Sequence, residues 1–168
     1  KSGGGKSTLV SLIPRFYDVT KGTIKIGGVD VKEISEKELM SKISFVFQDS
    51  RLLKKSFKEN IKMGSNASVE DIQTAVHKAQ CDDIIEKFDQ GLETKIGSKG
   101  VYLSGGETQR LTLARAIVKD APILLLDEAT AYADSDNEVL MQKAIMELAK
   151  DKTTIMIAHR LSTIVNVD

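Results

Sequence analysis

Ile123-Leu124-Leu125-Leu126 is uniformly apolar and sits between Pro122 and the acidic pair Asp127-Glu128. A short run of this kind reads as a parallel strand buried on both faces. Such a strand needs helices on both sides of its sheet, and the flanking sequence supplies them. Ser104 to Lys119 carries Leu111, Ala114, Ile117 and Val118 at helical spacing and is broken by Pro122. Ser135, with Glu138 three residues on, caps a helix through Lys150 that has Leu140, Ala144 and Leu148 on one face. Thr154 to Ala158 returns as an apolar strand. Strand, helix and strand in this rhythm predict an α/β fold, a mostly parallel sheet flanked by helices.

The first half is read the same way. Ser7 to Ile13 follows three glycines, carries Leu9, Val10, Leu12 and Ile13, and stops near Pro14, as a short helix behind a Gly-rich loop would. Thr23-Ile24-Lys25-Ile26 alternates polar and apolar before Gly27-Gly28, which predicts a half-exposed strand and a turn. Ser35 with Glu38 forms a capping box that opens a helix, followed by a strand over Ile43 to Phe47. Ser68 with Asp71 precedes Ile72, Ala75, Val76 and Ala79 at i, i+3, i+4 and i+7, so 68–79 is an amphipathic helix. Between Asp49 and Leu103 the buried-strand signal disappears and short helices dominate. The expected division is a core of 1–48 and 104–168, incomplete at both ends, with a helical subdomain, 49–103, inserted into it.

Composition narrows the class. The 168 residues are 41% hydrophobic, enough for one buried core, and 24 Lys+Arg offset 24 Asp+Glu, which argues against a general nucleic-acid binder. No run approaches the roughly 18 apolar residues of a membrane span. Cys81 is the only cysteine and reads as a small buried residue. His77 lies on a helix without a partner motif and reads as a surface residue. Because the chain opens on Lys1 without an initiator Met or a leader, it is expected to be a piece of a longer protein.

Three constellations carry chemistry. Ser2-Gly3-Gly4-Gly5-Lys6-Ser7-Thr8 ends a G-x-x-x-x-G-K-[ST] phosphate loop, in which backbone N–H groups close round a phosphate, Lys6 supplies charge and the Ser7 hydroxyl can ligate Mg²⁺. In isolation a flexible Gly-rich turn would look alike. Asp127 and Glu128 lie just past the tip of the buried strand, the sheet edge where α/β folds bind ligands, and phosphoryl transfer needs an acid near the loop to hold Mg²⁺ and a group to orient or deprotonate water. Leu103-Ser104-Gly105-Gly106-Glu107 opens a long helix, either as a second anion-binding N-terminus or as an ordinary cap.

With these motifs in this order, the sequence resembles the nucleotide-binding domain of ATP-binding-cassette (ABC) ATPases, whose signature begins LSGG, over essentially its whole length. The resemblance implies ATP and Mg²⁺ as ligands and assigns further positions. Gln48 resembles the glutamine that contacts Mg²⁺ and the attacking water, and His159 resembles the switch histidine that reaches the γ-phosphate. Glu128 falls at the catalytic carboxylate and Asp134 at the D-loop aspartate. Lys6 and the backbone of Gly3 to Gly5 would hold phosphates, Thr8 would support the α-phosphate, and Asp127 would address Mg²⁺ through water. Ile157 to Thr163, and Asp49-Ser50 with Ser56-Phe57 and Glu59-Asn60-Ile61, look like exporter-type transporters with a fused membrane domain.

The implied assembly is a head-to-tail dimer, homo- or heterodimeric, in which Ser104 and Gly106 of one domain close on nucleotide held by the other. A transmembrane domain fused upstream would place it at the cytoplasmic face of a membrane, with no nucleic-acid partner. Two positions depart from the pattern: Ala131 where the family's D-loop usually begins with Ser, and Ser98 where exporters usually have Glu. A soluble ABC-family ATPase is the alternative among enzymes, and a regulatory ATP-binding cassette paired with a different catalytic subunit is the alternative outside that class.

Overall fold

A computed structural model describes residues 4–47, 50–97, 100–129 and 135–157. Its centre is a parallel sheet of three strands in the order β3 (Ile43–Val46), β4 (Ile123–Asp127) and β5 (Thr153–Ile157). The register sets Val46 opposite Leu126 and Asp127 opposite Ile157. Parallel neighbours cannot be joined by a tight turn, so each crossover carries helices. α3 (Phe57–Lys62), α4 (Val69–Lys78), α5 (Asp82–Glu86) and α6 (Gly105–Lys119) lie between β3 and β4, and α7 (Ser135–Ala149) between β4 and β5.

The apolar run of β4 is buried on both faces, as its sequence requires. Leu124 and Leu126 enter one core with Phe57, Ile72, Leu111 and Met141, while Leu125 enters a second with Val10, Leu39, Ile43 and Ile157. The first core joins α3, α4, α6 and α7 to the sheet. The second joins it to α1 (Lys6–Leu12) and α2 (Glu36–Lys42). Cys81 is fully buried, and burial pushes its thiol pKa up, so it packs as an inert apolar residue.

Local chemistry fixes the helix starts. Ser56 with Glu59, Ser68 with Asp71 and Ser104 with Glu107 each form a reciprocal capping box. At Ser35 only half the box forms: its hydroxyl accepts from the Glu38 N–H at 3.3 Å. The strand expected over Thr23–Ile26 shortens to β1 (Lys25–Ile26), paired antiparallel with β2 (Val29–Asp30) apart from the main sheet. Gly27 and Gly28 have φ of 58° and 83°, so this hairpin uses a turn that needs two left-handed residues.

α6 ends at Asp120, in the left-handed region at φ 48°, before Pro122 is reached. α7 buries Met141, Ala144, Ile145 and Leu148, with Leu140 only half-buried, and ends at Ala149. Among the described residues no helix is long and apolar enough to cross a membrane.

Candidate functional site

The Gly-rich loop enters α1 through Gly5, whose φ of 75° is open to glycine and costly to any residue with a Cβ. The Leu9 N–H donates to the Gly5 carbonyl at 2.9 Å, and the Ser11 hydroxyl donates to the Ser7 carbonyl at 2.8 Å. Gly4, Gly5, Lys6, Ser7 and Thr8 are all exposed. One turn on from Lys6, Val10 packs with Leu125 and Ile157, which seats α1 against β4 and β5. Ser2 and Gly3 lie outside the described residues.

Asp127 closes β4. Its Oδ1 is buried and accepts no hydrogen bond, an orphaned acceptor at the carboxyl end of a parallel sheet. Burying a carboxylate oxygen without a partner is costly, and a hydrated divalent cation would satisfy it. The Asp127 carboxylate and the Ser7 hydroxyl are the oxygen donors that Mg²⁺ takes, so the residues present fit that ion. Glu128 follows at φ 49°, its N–H donating to the Ile157 carbonyl at 3.0 Å. Gln48 and His159 each come two residues after a strand, β3 and β5, and lie outside the described residues, as do Asp134 and the departures Ser98 and Ala131. Among the described residues no group of three or more His, Cys, Asp or Glu side chains could hold a metal ion.

Ser104 caps α6. Its hydroxyl accepts from the Glu107 N–H at 3.2 Å, and the Glu107 carboxylate accepts from the Ser104 N–H at 2.7 Å and pairs with Lys87 at 3.2 Å. Burial pushes the Glu107 carboxyl up, but the Ser104 N–H, Lys87 and the Ser104 hydroxyl together hold it below the usual range. The Ser104 hydroxyl thus accepts from the Glu107 N–H and turns its own proton to the Glu107 carboxylate, which closes the cap on itself. Gly105 is exposed and Gly106 buried at the start of the helix. The structure thus seats α1, which opens on Lys6 and Ser7, against the strands that lead to Asp127 and Glu128, and packs α6, which Ser104 caps, on the opposite face of β4.

Residues 1–131 match the family model described as ABC transporter. The chain belongs to the ABC transporter family. The ABC chain is 51% identical over 170 residues to an ATP-dependent lipid A-core flippase of Methylobacillus flagellatus, covering 100% of this chain and 29% of that one. It is 47% identical over 168 residues to the mycobactin import ATP-binding/permease protein IrtA of Mycolicibacterium thermoresistibile, covering 99% and 18%. The solved structure of a bacterial Atm1-family ABC exporter with ATP bound superposes with a TM-score of 0.90 at 41% identity, covering 98% of this chain and 29% of that one. The chain therefore spans less than a third of the length of each of these proteins.

The ABC fold also contains polar links that motif reading passed over. Arg110 pairs with Asp83, and Arg115 with Asn60, across 27 and 55 residues of sequence. Long spacing leaves no local signal for either. The Ser56-x-x-Glu59 spacing is the local sign by which that cap could have been found. Phe16, Phe45 and Phe47 form an aromatic cluster, Phe45 and Phe47 stacked with centroids 5.4 Å apart. The i, i+2 spacing of Phe45, on β3, and Phe47, just past its end, is the readable sign. His77 is exposed, as expected, and lies 3.0 Å from Asp82.

Proposed function

We propose that this chain is the ATP-hydrolysing domain of an exporter-type membrane transporter. The observation that supports the reading is the packing of α1, which opens on Gly5 and Lys6, through Val10 against Leu125 and Ile157, beside the strand end that carries Asp127, with its orphaned buried oxygen, and Glu128. Lys6, Thr8 and the backbone from Ser2 to Gly5 hold the phosphates. Ser7, Gln48 and, through water, Asp127 are the residues that would hold Mg²⁺, which when bound offsets charge developing on the phosphoryl oxygens. Glu128 takes the proton of the attacking water, and His159 stabilises charge on the γ-phosphate.

Ser104, Gly105, Gly106 and Asp134 act across an interface, closing on nucleotide held by a second domain in a head-to-tail dimer, whether homodimeric or heterodimeric. ATP then joins the two domains, and hydrolysis releases them. The packing of α6, which Ser104 caps, on the face of β4 opposite to α1 supports this division. A membrane-embedded domain elsewhere in the full-length protein is the second partner, which sets this domain at the cytoplasmic face. The relatives named as permeases support that partner.

Glu128→Gln in the full-length protein tests the core of the reading. A carboxylate that accepts a proton in the transition state is worth roughly 10²–10⁴-fold in rate, whereas phosphate contacts already exist in the ground state. Hydrolysis should fall by that factor while ATP binding and the dimer persist. Turnover near the wild-type rate would remove Glu128 from the role of base.

A further inference from the structure

We propose that Asn60 and Arg115 are positioning residues, a polar link that fixes the chain leading out of Gln48 to the helix leading out of Ser104. Asn60 on α3 is 1% exposed. Its side-chain oxygen accepts from the Leu53 N–H at 2.7 Å and from Arg115 Nη2 at 3.3 Å. Its amide nitrogen donates to the Leu53 carbonyl at 3.0 Å and the Ser56 carbonyl at 2.9 Å. One buried amide therefore holds a segment, residues 51–56, that belongs to no helix and to no strand of the main sheet.

Arg115 reaches the same knot from α6. Its Nε donates to the Asn60 carbonyl at 2.9 Å, and its Nη1 lies 3.5 Å from the Arg51 carbonyl. Among the described residues every oxygen it meets is a neutral amide or carbonyl. An arginine used this way supplies geometry and neutralises no carboxylate: a rigid fork spans three acceptors on two segments, which a lysine cannot do.

The consequence is mechanical. Arg115 lies ten residues along α6 from Gly105, about 15 Å of continuous helix. Segment 51–56 begins three residues after Gln48 in sequence. A shift of segment 51–56 is thus passed through Leu53 and Asn60 to Arg115 and displaces the Ser104 end of α6 with it. The link acts through these segments, and neither side chain touches nucleotide.

The inference rests on the ATPase reading, and steady-state hydrolysis by the full-length protein separates the two. Arg115→Met and Asn60→Ala should each lower kcat at least tenfold and leave KM for ATP within twofold, because the Lys6 loop is untouched. The double variant should be no more than twofold slower than the slower single. Arg115→Lys should stay at the level of Arg115→Met, and it takes the place of that variant if the methionine protein fails to fold. A single variant with near wild-type kcat, singles whose losses multiply in the double, or a loss confined to KM would each overturn the link. Hydrogen exchange gives a readout that does not need turnover. Mg-ATP should slow exchange of the amides at 50–56 and at 104–108 together in the wild type, and only one of the two sets in the variants. A joint response that survives in Arg115→Met also overturns the proposal, and a wild type that binds but does not hydrolyse ATP is decided by this measurement alone.

Discussion

Arg110 and Asp83 meet as a two-pronged pair, Nη1 to Oδ1 at 2.7 Å and Nη2 to Oδ2 at 2.9 Å. The arrangement is lopsided, since the arginine side chain is 3% exposed and the aspartate 61%. Arg110 Nη1 also donates to the Gln80 carbonyl, so the guanidinium pins the turn between α4 and α5 onto α6. Removing the aspartate strands a buried cation, whereas removing the arginine frees an exposed carboxylate.

Asp83→Asn should therefore destabilise the domain, by about 1.5–3 kcal/mol, the worth of a hydrogen bond to a charged group. Chemical denaturation checks it. The pH dependence has a definite sign. Burial pushes the Asp83 carboxyl up, but the hydrogen bonds and charge of Arg110, with backbone N–H groups, hold it below its ordinary value. The pair's stabilisation is then fully present above about pH 4, the unfolded value, and is lost as pH falls through the lower folded value. Asp83→Asn should flatten that acid limb of the stability curve.

Lys6→Ala removes the side-chain cation of the phosphate loop. A charge-assisted contact is worth about 1.5–3 kcal/mol, so ATP affinity should fall roughly 10- to 100-fold, read by titration of the full-length protein. Unchanged affinity would sink the phosphate-loop assignment.

Ser104 has two roles that one substitution can separate. Aspartate caps helices as well as serine does, so Ser104→Asp should keep α6 and its stability. It also sets a carboxylate where the proposed partner's nucleotide must approach. ATP-driven dimerisation, followed by light scattering, should be lost while the melting temperature holds. Ser104→Ala should instead cost about 1 kcal/mol of stability through the lost cap.

The polypeptide of residues 1–168 on its own should self-associate. Among the described strands β5 bonds to β4 alone, and its Ile155 is 36% exposed. A free strand edge with apolar side chains recruits another chain. A monodisperse monomer in light scattering would contradict this expectation.

How much of this could be read beforehand follows from the range of each interaction. β4 was legible because its run is short, bounded by Pro122 and Asp127, and apolar at every position. Capping boxes span four residues and were equally plain at Ser68. α7 was harder: apolar residues at 139, 140, 141, 144, 145 and 148 allow two overlapping stripes, and packing chose the one centred on Met141 and Ala144. At the site, the loop and acid pair are local motifs. The burial of the Asp127 oxygen and the Arg115 arm of the knot at Asn60, 55 residues away, depend on tertiary packing, for which sequence holds no local sign.

Glu128 occupies a backbone conformation at φ 49° that glycine adopts freely. Any other residue gives up about 1–2 kcal/mol there, so the fold penalises the very carboxylate that the proposed chemistry needs. A selection for heat tolerance alone would drift toward glycine at 128 and return a sturdier, silent protein. Thermostabilised descendants of this chain would have to be sorted by turnover first and by melting temperature second.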